Sequence, residues 1–450
     1  MRPQHRGADR PPMGSLERDG GKLVSVNALE ITKGETEHMR SMVILGAGQA
    51  GGWTAKTLRD QGFAGSIVLI GEETHPPYER PPLSKDVLLR KRNAESTYLW
   101  SADKLAELGL ECLFGVRATD IDRLGKVISL SDGKSVRYDK LLIATGSRPR
   151  TLVAPGAEIE GIRYLRNIED ALALRGLLRS DTRLLIVGGG WIGLEVAAAA
   201  RQRGAEVVVV EAASQLCQRV LPSDLAGLIQ RYHEDRGVRF VLGATATKFI
   251  GDRRIQAVQL SNGARLQTDT VLIGIGAIPN AELAQAGGIE VENGIVVDAS
   301  GRTSDAAIFA AGDVANQPNR RRGRARIESW SNAQNQAIAT AKAMLDVPST
   351  YDDLPYFWSD QFDLKVQIVG TFGSFDDAVI RGDTKECKFV KCFLKDGSIT
   401  TAVGFNASQD IAILRRLMQR NVKFECSGLI ESPNLKELLR SAANQADQGP

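Results

Sequence analysis

The sequence lacks the features of a nucleic-acid-binding, membrane-spanning or secreted protein. Its 57 Lys and Arg residues are nearly balanced by 54 Asp and Glu residues, so the formal net charge is only +3. That balance argues against nucleic acid or a membrane surface as a partner. The apolar runs are strand-sized and broken by glycine, well short of the roughly 18 residues that a membrane-spanning helix needs. Residues 1–40 contain no apolar core of a secretory signal, and we expect them to form a disordered extension.

Cysteine is also scarce, and the five residues are scattered at Cys112, Cys217, Cys387, Cys392 and Cys426. An odd, scattered count is typical of a reducing compartment, which predicts a cytoplasmic protein without a disulfide scaffold. Cys387 and Cys392 have the spacing of a redox pair, but their odd offset in a strand-like segment points them to opposite faces. Two unpaired thiols are the favoured interpretation. No His and Cys residues have the spacing of a metal site, so no metal is expected.

The sequence does contain two glycine-rich turns of one type. Each follows a short apolar strand and opens a predicted helix; the glycines are Gly46, Gly48 and Gly51 in the first turn and Gly188, Gly190 and Gly193 in the second. The first glycine allows a tight turn, the second lets a pyrophosphate approach the backbone, and the third lets helix and strand pack closely. The phosphates would rest on N–H groups at the positive end of the helix. Two such turns indicate two dinucleotide sites in one chain.

An acidic residue ends the strand that follows each turn. Glu72 comes directly after the apolar segment 66–71, and Glu211 ends the segment 206–211. A carboxylate at this place accepts hydrogen bonds from the adenosine ribose hydroxyls. Residues 212–215 contain no Arg that would bind a 2′-phosphate, so the second site is predicted to take NAD rather than NADP. An exposed carboxylate at the end of a strand is the alternative for either residue.

The pattern along the chain predicts an α/β fold with two Rossmann-like dinucleotide-binding domains and a C-terminal α+β domain. Both units contain a hairpin turn, at residues 131–134 and at Asn262-Gly263. Both also contain an apolar strand that runs into a Gly and then a Pro, at residues 141–149 and 271–279, so the unit is repeated. We expect the first domain to span 41–149 and 270–346, the second 150–269, and the C-terminal domain 347–450. A helix is predicted from Asn332 to about residue 346.

Three further segments carry a specific resemblance. They are residues 78–85 (Tyr-Glu-Arg-Pro-Pro-Leu-Ser-Lys), 327–333 (Ile-Glu-Ser-Trp-Ser-Asn-Ala) and 356–361 (Tyr-Phe-Trp-Ser-Asp-Gln). With the two turns and the strand ends at Ala144-Thr145-Gly146 and Gly312-Asp313, they make the chain similar to the ferredoxin–NAD(+) reductase components of bacterial aromatic-ring dioxygenases. The related putidaredoxin and rhodocoxin reductases belong to the same FAD-dependent pyridine nucleotide oxidoreductase family. The resemblance spans about residue 40 to the C-terminus.

The resemblance implies FAD at the first turn, NAD(H) at the second, and a C-terminal domain that covers the flavin and helps to seat an iron–sulfur partner. The implied FAD contacts are Gly46, Gly48, Ala50, Gly51, Glu72, Lys85, the backbone of Ala118, Arg166, Asp313 and Trp330. The implied NAD contacts are Gly188, Gly190, Trp191, Gly193, Glu195, Glu211 and Gly276. Asp313 is expected to accept a hydrogen bond from a flavin ribityl hydroxyl, with an N-cap as the alternative.

The resemblance also implies a catalytic pair. Lys85 is expected near the reactive edge of the flavin, paired with Glu195, so that the pair polarises the ring near N5 and steadies hydride transfer. An ordinary buried salt bridge is the alternative. Trp191 is interpreted either as a lid over the nicotinamide pocket or as a packed core aromatic. Trp330, with Ser331 as the expected N-cap, is predicted to pack on the flavin, with core packing as the alternative.

A cluster of arginines is the densest positive run in the chain. It comprises Arg320, Arg321, Arg322, Arg324 and Arg326. Because ferredoxins are commonly acidic, we expect this run to steer a two-iron two-sulfur ferredoxin, of Rieske or plant type, to the flavin. A solvated loop is the alternative. The sequence leaves open whether the protein is a monomer or a homodimer.

NADH gives up two electrons as a hydride, whereas an iron–sulfur protein accepts one at a time, and a flavin can serve both. The predicted function is therefore an NADH-dependent flavoprotein reductase that passes electrons through FAD to a ferredoxin feeding an aromatic-ring dioxygenase or a related monooxygenase. Disulfide reductases and NADH oxidases of this architecture place cysteine near the flavin, but the segment around Lys85 has none and the nearest is Cys112. A flavoprotein resembling apoptosis-inducing factor, acting through binding, is the remaining alternative.

Overall fold

The computed structural model describes residues 40–319, 323–423 and 435–439. Nearly all of the expected N-terminal extension lies outside these residues, as do Arg320, Arg321, Arg322 and Cys426.

The first glycine turn belongs to a five-stranded parallel sheet. Its strands, in order across the sheet, are Ile308–Ala310, Lys140–Ile143, Ser41–Leu45, Ser66–Gly71 and Glu111–Phe114. The helix Gln49–Asp60 leaves the turn and packs against the helix Trp330–Met344. Because parallel strands are covered on both faces, their side chains form continuous apolar runs, and Val43 and Ile44 are fully buried.

The second turn belongs to a second five-stranded parallel sheet of the same plan. Its strands, in order, are Val238–Leu242, Glu206–Glu211, Arg183–Val187, Thr270–Ile273 and Ile162–Arg163. Its helices are Ile168–Leu177, Trp191–Gln202 and Ser223–Glu234. In both sheets the strand before the turn lies between the strand that leads to the acidic residue and the strand that runs towards Gly and Pro. The predicted internal repeat is confirmed.

Each unit also carries a three-stranded antiparallel sheet, which contains the predicted hairpin. The strands are Ala118–Asp122, Val127–Leu130 and Ser135–Arg137 in the first unit and Ala246–Ile250, Ala257–Leu260 and Arg265–Gln267 in the second. The turns at residues 131–134 and 261–264 join the second and third strands of each sheet. Both hairpin predictions are confirmed.

The expected boundary at residue 270 needs a correction. The strand Thr270–Ile273 lies beside Arg183–Val187 in the second sheet, because its four buried side chains complete that sheet. The chain returns to the first unit only afterwards. Ala277–Pro279 pairs antiparallel with Ser147–Pro149, so the two crossings between the units run side by side, and Ile308–Ala310 then adds to the first sheet.

The C-terminal domain is an antiparallel sheet covered by a helix. The strands, in order, are Tyr356–Gln361, Leu364–Gly370, Ser398–Phe405, Lys388–Lys395 and Asp377–Asp383. The helix Ser408–Gln419 packs on this sheet, and residues 435–439 are helical. In the core, the rings of Phe389 and Phe405 stack with centroids 4.8 Å apart. The expected α+β character of this domain is confirmed.

Shorter elements complete the described chain. They are the helices Ala102–Glu107 and Glu282–Ala286, the 3-10 turns Pro81–Ser84, Ala94–Thr97 and Gly312–Val314, and the strands Ile295–Val296, Ala315–Asn319 and Gly323–Arg326. Among the helices that the structure describes, none combines the length and apolar character needed to cross a bilayer.

Candidate active site

A single cleft of about 2740 Å³ brings together both glycine turns and the C-terminal domain. Pockets for one drug-sized ligand are commonly about 300–1,000 Å³, so this cleft has room for more than one large ligand. Most of the predicted site residues line it. They are Gly46, Gly48, Ala50, Glu72, Lys85, Ala118, Arg166, Asp313, Trp330, Gly188, Gly190, Trp191, Glu195, Glu211 and Gly276. Gly51 and Gly193 do not line the cleft.

The glycines of the turns divide into two kinds. Gly46 and Gly188 have φ values of +111° and +113°, and a Cβ on either would lie 2.2 or 2.3 Å from a carbonyl oxygen, of Ala144 or Gly274. The third glycines are buried behind the turn. A Cβ on Gly51 would lie 1.8 Å from the Gly46 oxygen, and a Cβ on Gly193 would lie 2.2 Å from the Gly188 oxygen. Both are therefore needed for close packing of helix and turn. Their expected contact with a ligand stays a prediction.

The second glycines face the cleft instead. A Cβ on Gly48 or on Gly190 would meet no atom within 4 Å, and each residue is the N-cap of its helix, Gln49–Asp60 or Trp191–Gln202. Neither helix has a capping side chain, so the first N–H groups point towards open space. This is the arrangement that a pyrophosphate on a Rossmann turn requires.

The two acidic residues at the strand ends differ in how firmly they are held. Glu211 accepts hydrogen bonds from the N–H of Gly189 at 2.6 Å and of Ala213 at 2.8 Å. Glu72 is exposed, and its nearest cation is the Arg117 guanidinium at 3.9 Å. Glu211 is thus fixed against the second turn by two backbone bonds, whereas Glu72 is free to turn towards a ligand.

Arg219 qualifies the sequence argument about the second site. Residues 212–215 indeed contain no Arg, but the Arg219 guanidinium lies on the same cleft, 3.6 Å from the position of a Cβ on Gly276. Sequence reasoning missed this residue because it follows Glu211 at a longer spacing than the 2′-phosphate-binding motif requires.

Lys85 and Glu195 meet in the cleft as predicted. Lys85 Nζ lies 3.0 Å from Glu195 Oε1, and the side chains are 14% and 4% exposed. The 3-10 turn Pro81–Ser84 directs Lys85 inward, while Ser84 and Ser359 donate hydrogen bonds from their hydroxyls to the same carboxylate. Burial raises the pKa of the Glu195 carboxyl, and the Lys85 ammonium opposes that shift. Asp360 lies 3.9 Å from Lys85 Nζ on the outer side.

Asp313 is already paired within the protein. Its Oδ2 atom accepts from the Ser147 hydroxyl at 3.0 Å and from Arg166 Nη2 at 3.1 Å. Two side chains, one from the chain crossing at Ser147 and one from the segment before Ile168–Leu177, therefore satisfy one oxygen of this carboxylate within the protein. The expected bond from a flavin hydroxyl stays a prediction. Both bonds fall on Oδ2, which leaves Oδ1 for a ligand hydroxyl.

Arg80 is a site residue that sequence reasoning missed. Its guanidinium donates to the Tyr78 hydroxyl, to the Arg166 carbonyl and to Glu73 Oε1, all at 2.7 Å, and it lines the cleft with Arg166. Two fixed guanidinium groups on one wall suit a ligand with phosphates. The signal was present, because Arg80 stands in the same Tyr-Glu-Arg-Pro-Pro-Leu-Ser-Lys segment as Lys85.

Trp330 opens its helix as predicted, although the cap is a different residue. Ser329 is the N-cap and accepts from the Asn332 N–H at 3.2 Å, whereas Ser331 donates to the Tyr356 carbonyl at 2.8 Å. The Trp330 ring packs edge-on against Trp358, with centroids 5.8 Å apart. The Gln49 amide oxygen accepts from the Trp330 indole N–H at 3.2 Å, so a residue between the second and third glycines of the first turn also orients this ring.

Trp191 both packs against another aromatic ring and lines the cleft. Its ring packs on Phe357 of the C-terminal sheet, with centroids 5.0 Å apart, and it also lines the cleft. Its role towards a nicotinamide remains a prediction.

The described arginines of the positive run face inward. Arg324 Nη2 donates to the carbonyls of Val297 and Asn316, the latter at 2.6 Å. Arg326 Nη1 donates to Glu328 and to the Asp313 carbonyl, and its side chain is only 11% exposed. The proposed docking role for Arg324 is not supported, because its charge is used to hold the loop.

Comparison with known proteins identifies the family. Residues 40–337 match the pyridine nucleotide-disulphide oxidoreductase family, and residues 356–439 match a reductase C-terminal family. The chain is 41% identical, over 84% of its length and 93% of the relative, to the anthranilate 1,2-dioxygenase system ferredoxin–NAD(+) reductase component of Burkholderia cepacia. It is 37% identical to putidaredoxin reductase of Pseudomonas putida, over 89% of this chain and 97% of that one. The chain belongs to the pyridine nucleotide-disulphide oxidoreductase family, with the ferredoxin–NAD(+) reductases.

Solved structures agree with that assignment. The covalent putidaredoxin reductase–putidaredoxin complex matches with a TM-score of 0.87 at 35% identity, over 90% of this chain and 99% of the matched chain. The two dinucleotide-binding units predicted from the sequence are confirmed. So are FAD and NAD(H), the cofactors of the ferredoxin–NAD(+) reductases in this family. The open faces of Gly48 and Gly190, the size of the cleft and the Arg80–Arg166 wall fit these cofactors.

Disulfide chemistry finds no support among the described residues of this family member. The four described cysteines are free. Burial raises the pKa of all four thiols, to about 12 for Cys217 and Cys392. A thiol that stays protonated is a poor nucleophile. The residues that contact the Glu195 carboxylate from the segment 81–85 are Ser84 and Lys85, and neither is a cysteine. The described residues therefore support neither a disulfide reductase nor a cysteine-dependent NADH oxidase.

Proposed function

We propose that the chain is an NADH-dependent ferredoxin reductase. It passes electrons from NADH through FAD to a two-iron two-sulfur ferredoxin that feeds an aromatic-ring dioxygenase or a related monooxygenase. When bound, FAD takes a hydride from NADH and passes electrons on singly. The observation that carries the proposal is the buried Lys85–Glu195 ion pair in a cleft shared by two glycine turns.

The two turns hold different cofactors in this proposal. FAD lies on the first turn, with Gly48 at its pyrophosphate, Glu72 at its ribose, and Arg80 and Arg166 as fixed cations. NADH lies on the second turn, with Gly190 at its pyrophosphate and Glu211 at its ribose. The remaining contacts are assigned by position in the cleft to Gly46, Ala50, Ala118, Asp313 and Trp330 for FAD and to Gly188, Trp191 and Gly276 for NADH.

The Lys85–Glu195 pair supplies charge where the hydride moves. A fixed ammonium in a site from which water is largely excluded stabilises negative charge that develops beside it. Because Glu195 is 4% exposed and holds Lys85 at 3.0 Å, the ammonium needs no reorganisation during the reaction. Glu195 contributes by holding the Lys85 ammonium in place, and Lys85 contributes by its positive charge.

The ferredoxin docks near the segment 320–324 in this proposal. Arg324 anchors the strand Gly323–Arg326 through backbone carbonyls, and the preceding residues Arg320, Arg321 and Arg322 supply the positive charge. An acidic ferredoxin would be steered by such a run. Neutralising these three residues should flatten the salt dependence of ferredoxin reduction. The control variant neutralises Lys248, Arg253 and Arg265, all exposed in the second unit. It carries the same charge change and should leave the salt dependence of ferredoxin reduction as it is.

An anaerobic titration tests the function directly. The FAD-loaded protein should bleach with one equivalent of NADH, and far more slowly with NADPH. With a two-iron two-sulfur ferredoxin present, the spectrum of the reduced iron–sulfur centre should then appear. Failure of NADH to bleach bound FAD would refute the proposal. Bleaching without any transfer to Rieske or plant-type ferredoxins would favour a flavoprotein that acts through binding.

A further inference from the structure

A buried line of hydrogen bonds leads from the second unit to Glu195 through the C-terminal domain. His233 Nε2 lies 2.8 Å from Gln361 Oε1. Gln361 Nε2 donates to Ser359 Oγ at 3.0 Å, and Ser359 Oγ donates to Glu195 Oε1 at 2.7 Å. Ser359 and Gln361 belong to the segment 356–361 that carries the family resemblance, but the sequence assigned no role to either residue.

Each bond in this line points the same way. Since Gln361 Nε2 donates to Ser359, Gln361 Oε1 must accept, and His233 therefore carries its hydrogen on Nε2. Ser359 receives the amide N–H of Gln361 and has one hydrogen to give, which goes to Glu195. A line of donors that all point to one carboxylate favours its ionised form, and such bonds strengthen one another.

The surroundings make each of these bonds important. Ser359, Gln361 and His233 are fully buried and Glu195 is 4% exposed, so water cannot replace a lost donor. The titratable and charged groups around the carboxylate are Lys85, Asp360 beyond it, His233 at the far end of the line and the Cys217 thiol. Lys85 is the one cation of this described set, and it also faces the cleft.

We propose that Ser359 and Gln361 are positioning residues, which keep Glu195 ionised and so hold the Lys85 ammonium in place in the cleft. The C-terminal domain thereby controls a charge at the site where the first two units meet. The consequence for hydride transfer rests on the proposed function. The effect on Glu195 itself does not, because it is a property of the protein with or without NADH.

Infrared spectroscopy of the FAD-loaded protein tests the proposal. The carbonyl band of protonated Glu195 is assigned as the band that is lost in Glu195→Gln. Removing a donor to the ionised form raises the pKa, so in Ser359→Ala this band should appear at a pH about one unit higher. Gln361→Met should shift it in the same direction by less. The pH profile of FAD reduction by NADH should move with the band.

Two controls separate this role from general stabilisation. Ser408 is another hydroxyl donor of the C-terminal domain. It is exposed, gives its hydrogen to Gln367 Oε1 at 2.6 Å and lies outside the line. Ser408→Ala should leave the band unshifted. Ser359→Thr keeps a hydroxyl and should restore the original titration.

The outcomes distinguish the two proposals. If NADH does not reduce the flavin of the unaltered protein, the proposed function fails. The pH at which the Glu195 carbonyl band appears still tests whether Ser359 and Gln361 position Glu195. If Ser359→Ala loses its FAD, the shift of the Glu195 carbonyl band is measured in Gln361→Met instead. Unshifted bands in both variants would overturn the inference, as would an equal shift in Ser408→Ala.

Discussion

Gly48 and Gly190 occupy equivalent places in the two turns, and at both a Cβ would meet no protein atom within 4 Å. The space in front of them is therefore not needed for folding. Their neighbours Gly46 and Gly188 differ, because positive φ values and carbonyl oxygens at 2.2 and 2.3 Å leave no room for a Cβ. This contrast separates glycines that build the turn from glycines that admit a ligand.

Alanine substitutions should follow that division. Gly48→Ala should fold but retain little FAD, since the new methyl occupies the approach of the pyrophosphate. Gly190→Ala should keep FAD and raise the KM for NADH by about tenfold, as a loss of roughly 1.4 kcal/mol implies. Bound flavin absorbance and steady-state kinetics measure both effects.

The turn-building glycines provide the control for this experiment. Gly46→Ala and Gly188→Ala should each destabilise the fold by at least about 1–3 kcal/mol through backbone strain. The division would be wrong if Gly48→Ala lowered the thermal midpoint of the protein without cofactors as much as Gly46→Ala does.

Replacing Lys85 should slow hydride transfer. Lys85→Met removes the ammonium and leaves Glu195 buried without its cation, so we expect the anaerobic rate of FAD reduction by NADH to fall by about 10²-fold. Stopped-flow absorbance measures this rate. Lys85→Arg, which keeps the charge, should lose less. An unchanged rate in Lys85→Met would reduce the pair to a structural salt bridge.

Glu211 should set the preference for NADH. Its carboxylate is fixed by two backbone N–H groups, so it would repel a 2′-phosphate, and Arg219 on the same cleft would attract one. In Glu211→Ala we expect the ratio of kcat/KM for NADH over NADPH to fall about 10- to 100-fold, equivalent to roughly 1.4–2.7 kcal/mol. Glu72→Ala removes the corresponding carboxylate of the first turn and should leave this ratio unchanged.

The parts of the site that the sequence predicted are those that depend on local spacing. The two glycine turns, their helices and the acidic strand ends follow from patterns of six to thirty residues, because turn geometry and strand alternation are local. Lys85 and Glu195 came from a family resemblance, and the structure brings their side chains together. The inward course of Lys85 follows from the rigid Pro81–Pro82 turn.

The parts that were missed depend on contacts between distant segments. Ser359 reaches Glu195 across 164 positions of the chain, and no spacing rule connects a strand of the C-terminal domain with a helix of the second unit. The inward course of Arg324 was missed for a related reason. Composition reports charge, but only packing shows that Arg324 is tied to the carbonyls of Val297 and Asn316. Thr270–Ile273 was assigned to the wrong unit because an apolar strand does not indicate its neighbour.

His233 should make stability depend on pH. Burial lowers the pKa of this imidazole to about 4, although the bond to Gln361 opposes the shift. Between about pH 4 and the ordinary value of 6.5, the unfolded chain binds a proton that the folded protein does not. Acid therefore favours unfolding across this window, and the contribution of His233 at neutral pH, roughly 3 kcal/mol, is lost as the pH falls to 4.

Urea unfolding of the protein at several pH values between 4.5 and 7 measures this dependence. The unaltered protein should lose stability towards the acid end, and His233→Gln, which cannot titrate, should show a smaller slope against pH. Gln361→Met keeps the imidazole but removes the bond that raises its pKa, so its slope should be at least as steep as that of the unaltered protein. Parallel curves for the unaltered protein and His233→Gln would show that the buried imidazole does not control acid stability, and that other groups in the same pH window do.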